Sequence, residues 1–342
     1  MATGVTVLAY PAPTRRIAEL DALRGLCALA VGLYHLTYYI RFILPGVALP
    51  SVSIWWGCYG VQIFFAISGF VILGTLERIR NLALFARARA SRLLPEYWLA
   101  MTITATVATM WAPTQLRVDA LTWLLNLLPV QLWTGTRMVD GVYWSLNVEV
   151  GFYLAMALAW QLGWTRRIEM LVLGWLTVKW LLWAVAAPEW LGLLLLTEHA
   201  PYFAIGLVTY RIWTGERHVA EQLPLLVAMG STVWLLDPIH AHWLFAGAVP
   251  LFLLLATARA RWLDQPLLVW LGSISYPFYL LHAVIGYTVV LRLEIAGVMP
   301  ALAVIAALGV AGLLATAVSI VLERGREARR RPAPGPIAAA AR

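Results

Sequence analysis

Arg24 and His35 stand eleven residues apart in a stretch that is otherwise mostly apolar. On an α-helix that interval is three turns plus roughly 20°, with a rise of about 16 Å, so the two side chains share one face. Asp21 lies close to the same face, about 40° to its other side. A neutral imidazole can take a proton from an alcohol. An arginine three turns away could hold the anionic part of a long substrate whose reactive end reaches that imidazole. The same residues also fit a structural reading, with the histidine hydrogen-bonded inside a bundle and the arginine reaching lipid phosphate.

A second polar group runs from Tyr143 through Trp144, Ser145, Asn147 and Glu149 to Tyr153. Glu149 would lie about 9 Å along the helix from Tyr143, deep enough to need a partner such as His35 or a substrate hydroxyl. The structural alternative is a glutamate kept protonated or paired with an arginine. Ser68-Gly69, in an apolar run, reads by itself as a small-residue helix contact. His282 is a second histidine in an apolar run, and alone it would be a packing residue. Arg87, Arg89 and Arg92 precede another apolar run and would bind either anionic lipid or the phosphates of a nucleotide-bearing cofactor. No phosphate loop, dinucleotide glycine pattern or metal-ligand His/Cys cluster accompanies them, so no metal is expected.

The elements that must carry these residues are membrane helices. Apolar residues make up 62% of the 342-residue chain and charged residues 12%, against about 45–50% and about 25% in soluble domains. An ordinary soluble enzyme is excluded. The apolar runs predict an all-α, polytopic integral membrane protein with about ten spans, near 22–44, 57–76, 93–111, 143–163, 168–187, 190–211, 222–236, 243–258, 266–291 and 300–322. On that topology nineteen of the 25 basic residues fall on one side, which makes that side and both termini cytoplasmic. The net charge of +8 then sets orientation and implies no nucleic-acid partner.

Residues 1–16 read as a flexible cytoplasmic segment with no signal-peptide pattern. Residues 17–323 form the membrane domain, and 324–342 form a basic, Pro- and Ala-rich cytoplasmic tail. Most of the 18 tryptophans fall near proposed helix ends, as interfacial anchors do. The longest loop outside the membrane, about 112 to 142, is expected over the outer mouth, where Trp133 and Asp140 would suit a sugar.

Five separated motifs, taken in order, resemble the acyltransferase-3 family of bacterial inner-membrane O-acyltransferases. They are Leu20-Asp21-Ala22-Leu23-Arg24-Gly25 through to His35, then Phe64-Phe65-Ala66-Ile67-Ser68-Gly69-Phe70, then Arg92-Leu93-Leu94-Pro95-Glu96-Tyr97-Trp98. Trp144-Ser145-Leu146-Asn147-Val148-Glu149 and Ser275-Tyr276-Pro277-Phe278-Tyr279-Leu280-Leu281-His282 complete the set. The Arg24 to His35 spacing is the most specific of these. Gln62 and Val150 stand where many relatives carry acidic residues, so neither position bears charge here.

The resemblance implies ten membrane helices in the cell inner membrane, a cytoplasmic acyl-CoA donor, usually acetyl-CoA, and an acceptor hydroxyl on a carbohydrate or other extracytoplasmic compound. It also implies that Arg24 and His35 are needed for transfer. On this basis His35 is expected as general base, or alternatively as the residue that carries the acyl group covalently, with Glu149 orienting it or holding the acceptor. Arg24, Arg89, Arg92 and Ser68 are expected at the donor, and Trp144, Tyr153 and His282 at the acceptor. The rival is a transporter or flippase in which the buried His, Glu and Arg form a proton or substrate path.

Overall fold

Apolar side chains cover every face of most long segments, so the helices bury one another and meet lipid rather than water. The computed structural model describes residues 17–330, without the side chains of 327–330. The expected N-terminal segment 1–16 and the last twelve tail residues lie outside the described residues. Ten long helices are described: α1 Ala18–Ile43, α2 Trp55–Leu76, α3 Leu82–Trp111, α4 Gly141–Gln161, α5 Ile168–Ala184, α6 Ala200–Trp213, α7 Val219–Leu236, α8 Ile239–Ala256, α9 Pro266–Ile295 and α10 Pro300–Arg330. No strand occurs among the described residues.

Seven of the ten are long and apolar enough to cross a bilayer by themselves. The other three fall short for identifiable reasons. α5 has 17 residues and α6 only 14, roughly 21 Å of helix for α6 against about 30 Å of hydrocarbon. α3 is 30 residues long but carries Arg87, Arg89 and Arg92 within its first eleven, and its remainder is diluted by Pro95, Glu96 and several threonines. α10 continues through Arg330, into the segment expected to be tail. Both described chain ends lie at one end of the bundle, where Ile17 borders a cleft with Arg78 and Arg92 and Arg326 reaches Glu96. We call this the arginine-rich end.

The two most buried helices are α9 and α6, and glycine brings each against a partner. Gly25 of α1 faces Gly272 of α9, and a Cβ at Gly272 would collide with the Asp21 carbonyl. Gly69 of α2 meets Phe203 and Gly206 of α6 in the same way, so Gly69 makes the small-residue contact expected of the Ser68-Gly69 pair. At the arginine-rich end, buried Arg211 is held by Glu77, Glu216 and the Thr165 carbonyl. It is a structural tie between α6 and the end of α2. Lys179 of α5 pairs with Asp237, 2.5 Å away, at the turn between α7 and α8.

The segment between α3 and α4 differs from expectation. It does not stay outside the bundle: it runs back down α3, antiparallel to it. Thr109 donates to the Val118 carbonyl, the Trp123 indole to Thr102, and the Trp98 indole to the Leu127 carbonyl. From Thr109 to Trp98 is eleven residues, a descent of about 16 Å. Non-helical backbone at that depth must find partners within the protein, and side chains on the segment and on the neighbouring helices supply them. Asn126, fully buried, donates to the Thr122 and Arg137 carbonyls and accepts from Val139 N–H. Gln131 donates to the Leu125 and Leu128 carbonyls, Asn147 accepts from Leu132 N–H, and Tyr97 donates to the Asn126 carbonyl. Asp119 caps the helical turn that starts the descent, and its bond from Thr122 N–H holds its carboxyl below the usual carboxylate range. α4 therefore begins deep in the bundle.

Overpacking at the α1/α9 contact should cost on the order of 1–3 kcal/mol. Gly272→Val is expected to lower the thermal unfolding midpoint of the detergent-solubilised protein, whereas Gly309→Ala, whose Cβ meets nothing, should leave it unchanged. Equal midpoints for the two variants would refute a packing role for the contact.

Candidate active site

α1 does not run on as a regular helix past His35. Residues His35–Tyr39 form a π-helical turn, the kind of local insertion that recurs where a side chain must be re-aimed. His35 and His282 each lie ten residues beyond the Gly25–Gly272 contact, on helices that run the same way. An equal rise of about 15 Å on each helix brings the two imidazoles together, with ring centroids 4.9 Å apart.

Hydrogen bonding assigns the tautomers. His282 Nδ1 is 2.7 Å from the Tyr279 carbonyl, which can only accept, so Nδ1 carries the proton and Nε2 accepts. His282 Nε2 lies 3.0 Å from His35 Nδ1, which is also 2.9 Å from the Val31 carbonyl. The proton of His35 therefore sits on Nδ1, shared between those two acceptors. Its Nε2 lone pair has no partner among the described residues. A histidine in this state can take a proton through Nε2 while both ring faces stay fixed.

The segment of α9 that carries His282 is held from the start of α4. Asp140, 2% exposed, accepts from Val142 N–H and from Val284 N–H, while the Tyr143 hydroxyl donates to the Leu280 carbonyl. Asp140 is thus a structural clamp that also borders the outer cleft. Trp133 packs against Gly151 rather than facing the mouth. Pro277, one turn before His282, cannot donate to the helix ladder.

Two clefts meet beside this pair. An outer one, about 890 Å³, is bordered by His35, Tyr34, Tyr39, Cys58, Trp144 and Tyr287. An inner one, about 790 Å³, is bordered by Arg24, Arg89, Arg92, Ser68, Glu149 and Tyr153. Val61 and Tyr279 border both, and the Tyr279 hydroxyl is fixed by Ser145 at 2.7 Å and the Val142 carbonyl at 3.0 Å. A third opening, bordered by Arg78 and Trp213, shares Arg24 and Arg92 with the inner cleft and leads to the arginine-rich end.

Glu149 Oε1 accepts from Ser68 at 2.6 Å and Tyr153 at 2.5 Å, distances of the hydroxyl-to-carboxylate kind. This differs from the expected pairing with His35, because Glu149 and Tyr153 lie further along α4, toward the arginines. Tyr153 accordingly borders the inner cleft rather than the acceptor mouth. His282 is fully buried behind His35 and borders neither cleft, so it is not placed to meet an acceptor. Trp144 does border the outer cleft as expected. Arg24, Arg89, Arg92, Ser68 and Glu149 are brought together as the sequence grouped them, with Arg24 3.9 Å from Asp21. Tyr287 was missed as a site residue, since only tertiary contacts distinguish it from other polar residues in apolar runs, and the clamping role of Asp140 and Tyr143 was not visible in the polar run that contains them.

Residues 17–324 match the acyltransferase domain of the acyltransferase-3 family. The chain is also similar to "Acyltransferase MdmB" of Streptomyces mycarofaciens, 27% identical over 307 aligned residues that cover 78% of each chain. No solved structure matches it.

The outer cleft can be checked without substrate. Cys58 borders it, whereas Cys27 is 7% exposed within the core. A bulky thiol reagent should modify Cys58 alone in the folded protein and both cysteines after denaturation, as read by mass spectrometry. Modification of Cys27 at the rate of Cys58 would show the described packing to be wrong. A paired, tautomer-fixed histidine above a cluster of arginines fits group transfer in a membrane, and with the match across residues 17–324 this chain belongs to the acyltransferase-3 family.

Proposed function

We propose that this protein is an O-acyltransferase of the cell inner membrane that moves an acyl group from cytoplasmic acyl-CoA, acetyl-CoA being the usual donor, to a hydroxyl of an extracytoplasmic carbohydrate or related acceptor. Ten membrane crossings with both termini cytoplasmic are part of the proposal. The common end of the two described chain termini and the arginines gathered there support that orientation. The observation that carries the reading is the free Nε2 of His35, on a ring fixed by His282 and Val31 at the border of the outer cleft, which shares Val61 and Tyr279 with the inner one.

The anionic part of the donor lies against Arg24, Arg89 and Arg92, because three guanidinium groups and a single carboxylate leave the inner cleft cationic. Its acyl end passes Val61 and Tyr279 to reach His35. The acceptor enters the outer cleft beside Trp144. His35 Nε2 takes the hydroxyl proton as the oxygen attacks the thioester carbonyl, the carbon–sulfur bond breaks, and the imidazolium returns the proton to the departing thiolate. Glu149 acts from the other cleft: with Ser68 and Tyr153 it braces α2 against α4 beside the arginines. Its part in transfer is to position the donor site.

Removing a general base typically costs about 10²–10⁴ in rate. His35→Ala is expected to lose that much O-acylation of the native acceptor, measured by mass spectrometry of surface glycans and small hydroxyl compounds at matched membrane abundance. Arg24→Ala should weaken transfer through the donor. Wild-type acylation by His35→Ala would sink the mechanism, and substrate movement by reconstituted protein without release of CoA would favour a carrier instead.

A further inference from the structure

Tyr287 sits on α9, 3% exposed, and its hydroxyl is buried with no hydrogen-bond partner. A buried hydroxyl without a partner costs about 1–3 kcal/mol, and a phenylalanine would avoid that cost. Nearby acceptors do not relieve it. Asp140, which borders the same cleft, accepts from Val142 and Val284 N–H and not from the Tyr287 hydroxyl. The Tyr287 ring lies 6.4 Å from the His35 ring, centroid to centroid, and both border the outer cleft. A residue with a donor hydroxyl and one with a proton acceptor thus border the same largely apolar cleft, each with its functional atom unengaged.

We infer that the Tyr287 hydroxyl is a catalytic hydrogen-bond donor, binding the thioester carbonyl oxygen as it gains charge. The inference rests on the acyl-transfer reading above. As the acceptor oxygen adds to the carbonyl carbon, the π electrons move to the carbonyl oxygen, and the phenol donates to that oxyanion without giving up its proton. His35 Nε2 holds the proton taken from the acceptor. When the carbonyl re-forms, the carbon–sulfur bond breaks, the thiolate takes the proton from His35, and the Tyr287 bond weakens again. A donor fixed in advance in a water-poor site acts mainly on the transition state, so its loss should fall on kcat.

The test uses the full chain in lipid nanodiscs with acetyl-CoA as probe and water as acceptor, following CoA release by chromatography. Wild type, Tyr287→Phe and His35→Ala are compared after unfolding midpoints confirm that all three are folded. Tyr287→Phe keeps the ring and is expected to lower kcat about 10²–10³-fold with the KM for acetyl-CoA unchanged. Wild-type kcat in Tyr287→Phe, with His35→Ala inactive, would overturn the inference and leave the acyl-transfer reading standing. So would a raised KM at unchanged kcat, which would make Tyr287 a binding contact. Full activity in His35→Ala, or no CoA release by wild type, would overturn the underlying reading and the inference with it.

Discussion

The backbone contact between Gly25 and Gly272 fixes the rest of the site. It sets two parallel helices so close that no side chain fits between them, and it does so ten residues before a histidine on each. Because both helices rise equally per residue, register at the glycines becomes register at the imidazoles. In a bilayer there is no hydrophobic drive between helices, so close packing and internal hydrogen bonds must supply the association. The π turn beginning at His35 then changes the helical phase without disturbing the packing below it.

Polar side chains deep in the bundle do two separable jobs. Asn126, Gln131 and Asn147 satisfy the backbone of the segment that runs down α3, and without them that segment would expose unpaired carbonyl and N–H groups at membrane depth. Asp140 and Tyr143, where this segment turns into α4, engage Val284 and Leu280 on either side of His282. The descending segment thus borders the outer cleft through Leu116 and Asp140 and also anchors the helix that orients His35.

The sequence pattern made the helices and the arginine cluster legible because both are local: apolar runs mark the spans, and Arg24, Arg89 and Arg92 announce themselves as charges in apolar surroundings. The sixth span, expected near 190–211, is instead a short helix Glu189–Leu194 followed by α6, which begins only at Ala200 and is too short to cross alone. Three things were not legible. The partner of His35 is His282, 247 residues away, and no periodicity links them. Glu149 has the depth expected of it, but its partners Ser68 and Tyr153 follow from how α2 crosses α4. Residues 112 to 142 are polar enough to read as an outer loop. That same polarity lets them descend, since amides that suit water can equally well bond backbone.

The division into two clefts bears on what crosses the membrane in the proposed reaction. Cationic groups border the inner cleft, whereas no lysine or arginine is found among the residues bordering the outer one. Carrying an unpaired charge to the centre of a bilayer costs roughly 2.5–3.5 kcal/mol per group on insertion scales. A polyanionic donor leaving Arg24, Arg89 and Arg92 would lose its partners and gain none beyond Val61 and Tyr279. A neutral acyl group faces no such cost. In the proposed reaction this charge distribution would retain the donor's anionic part at the arginine-rich end while its acyl end reached His35, so that only the acyl group would pass to the acceptor's side.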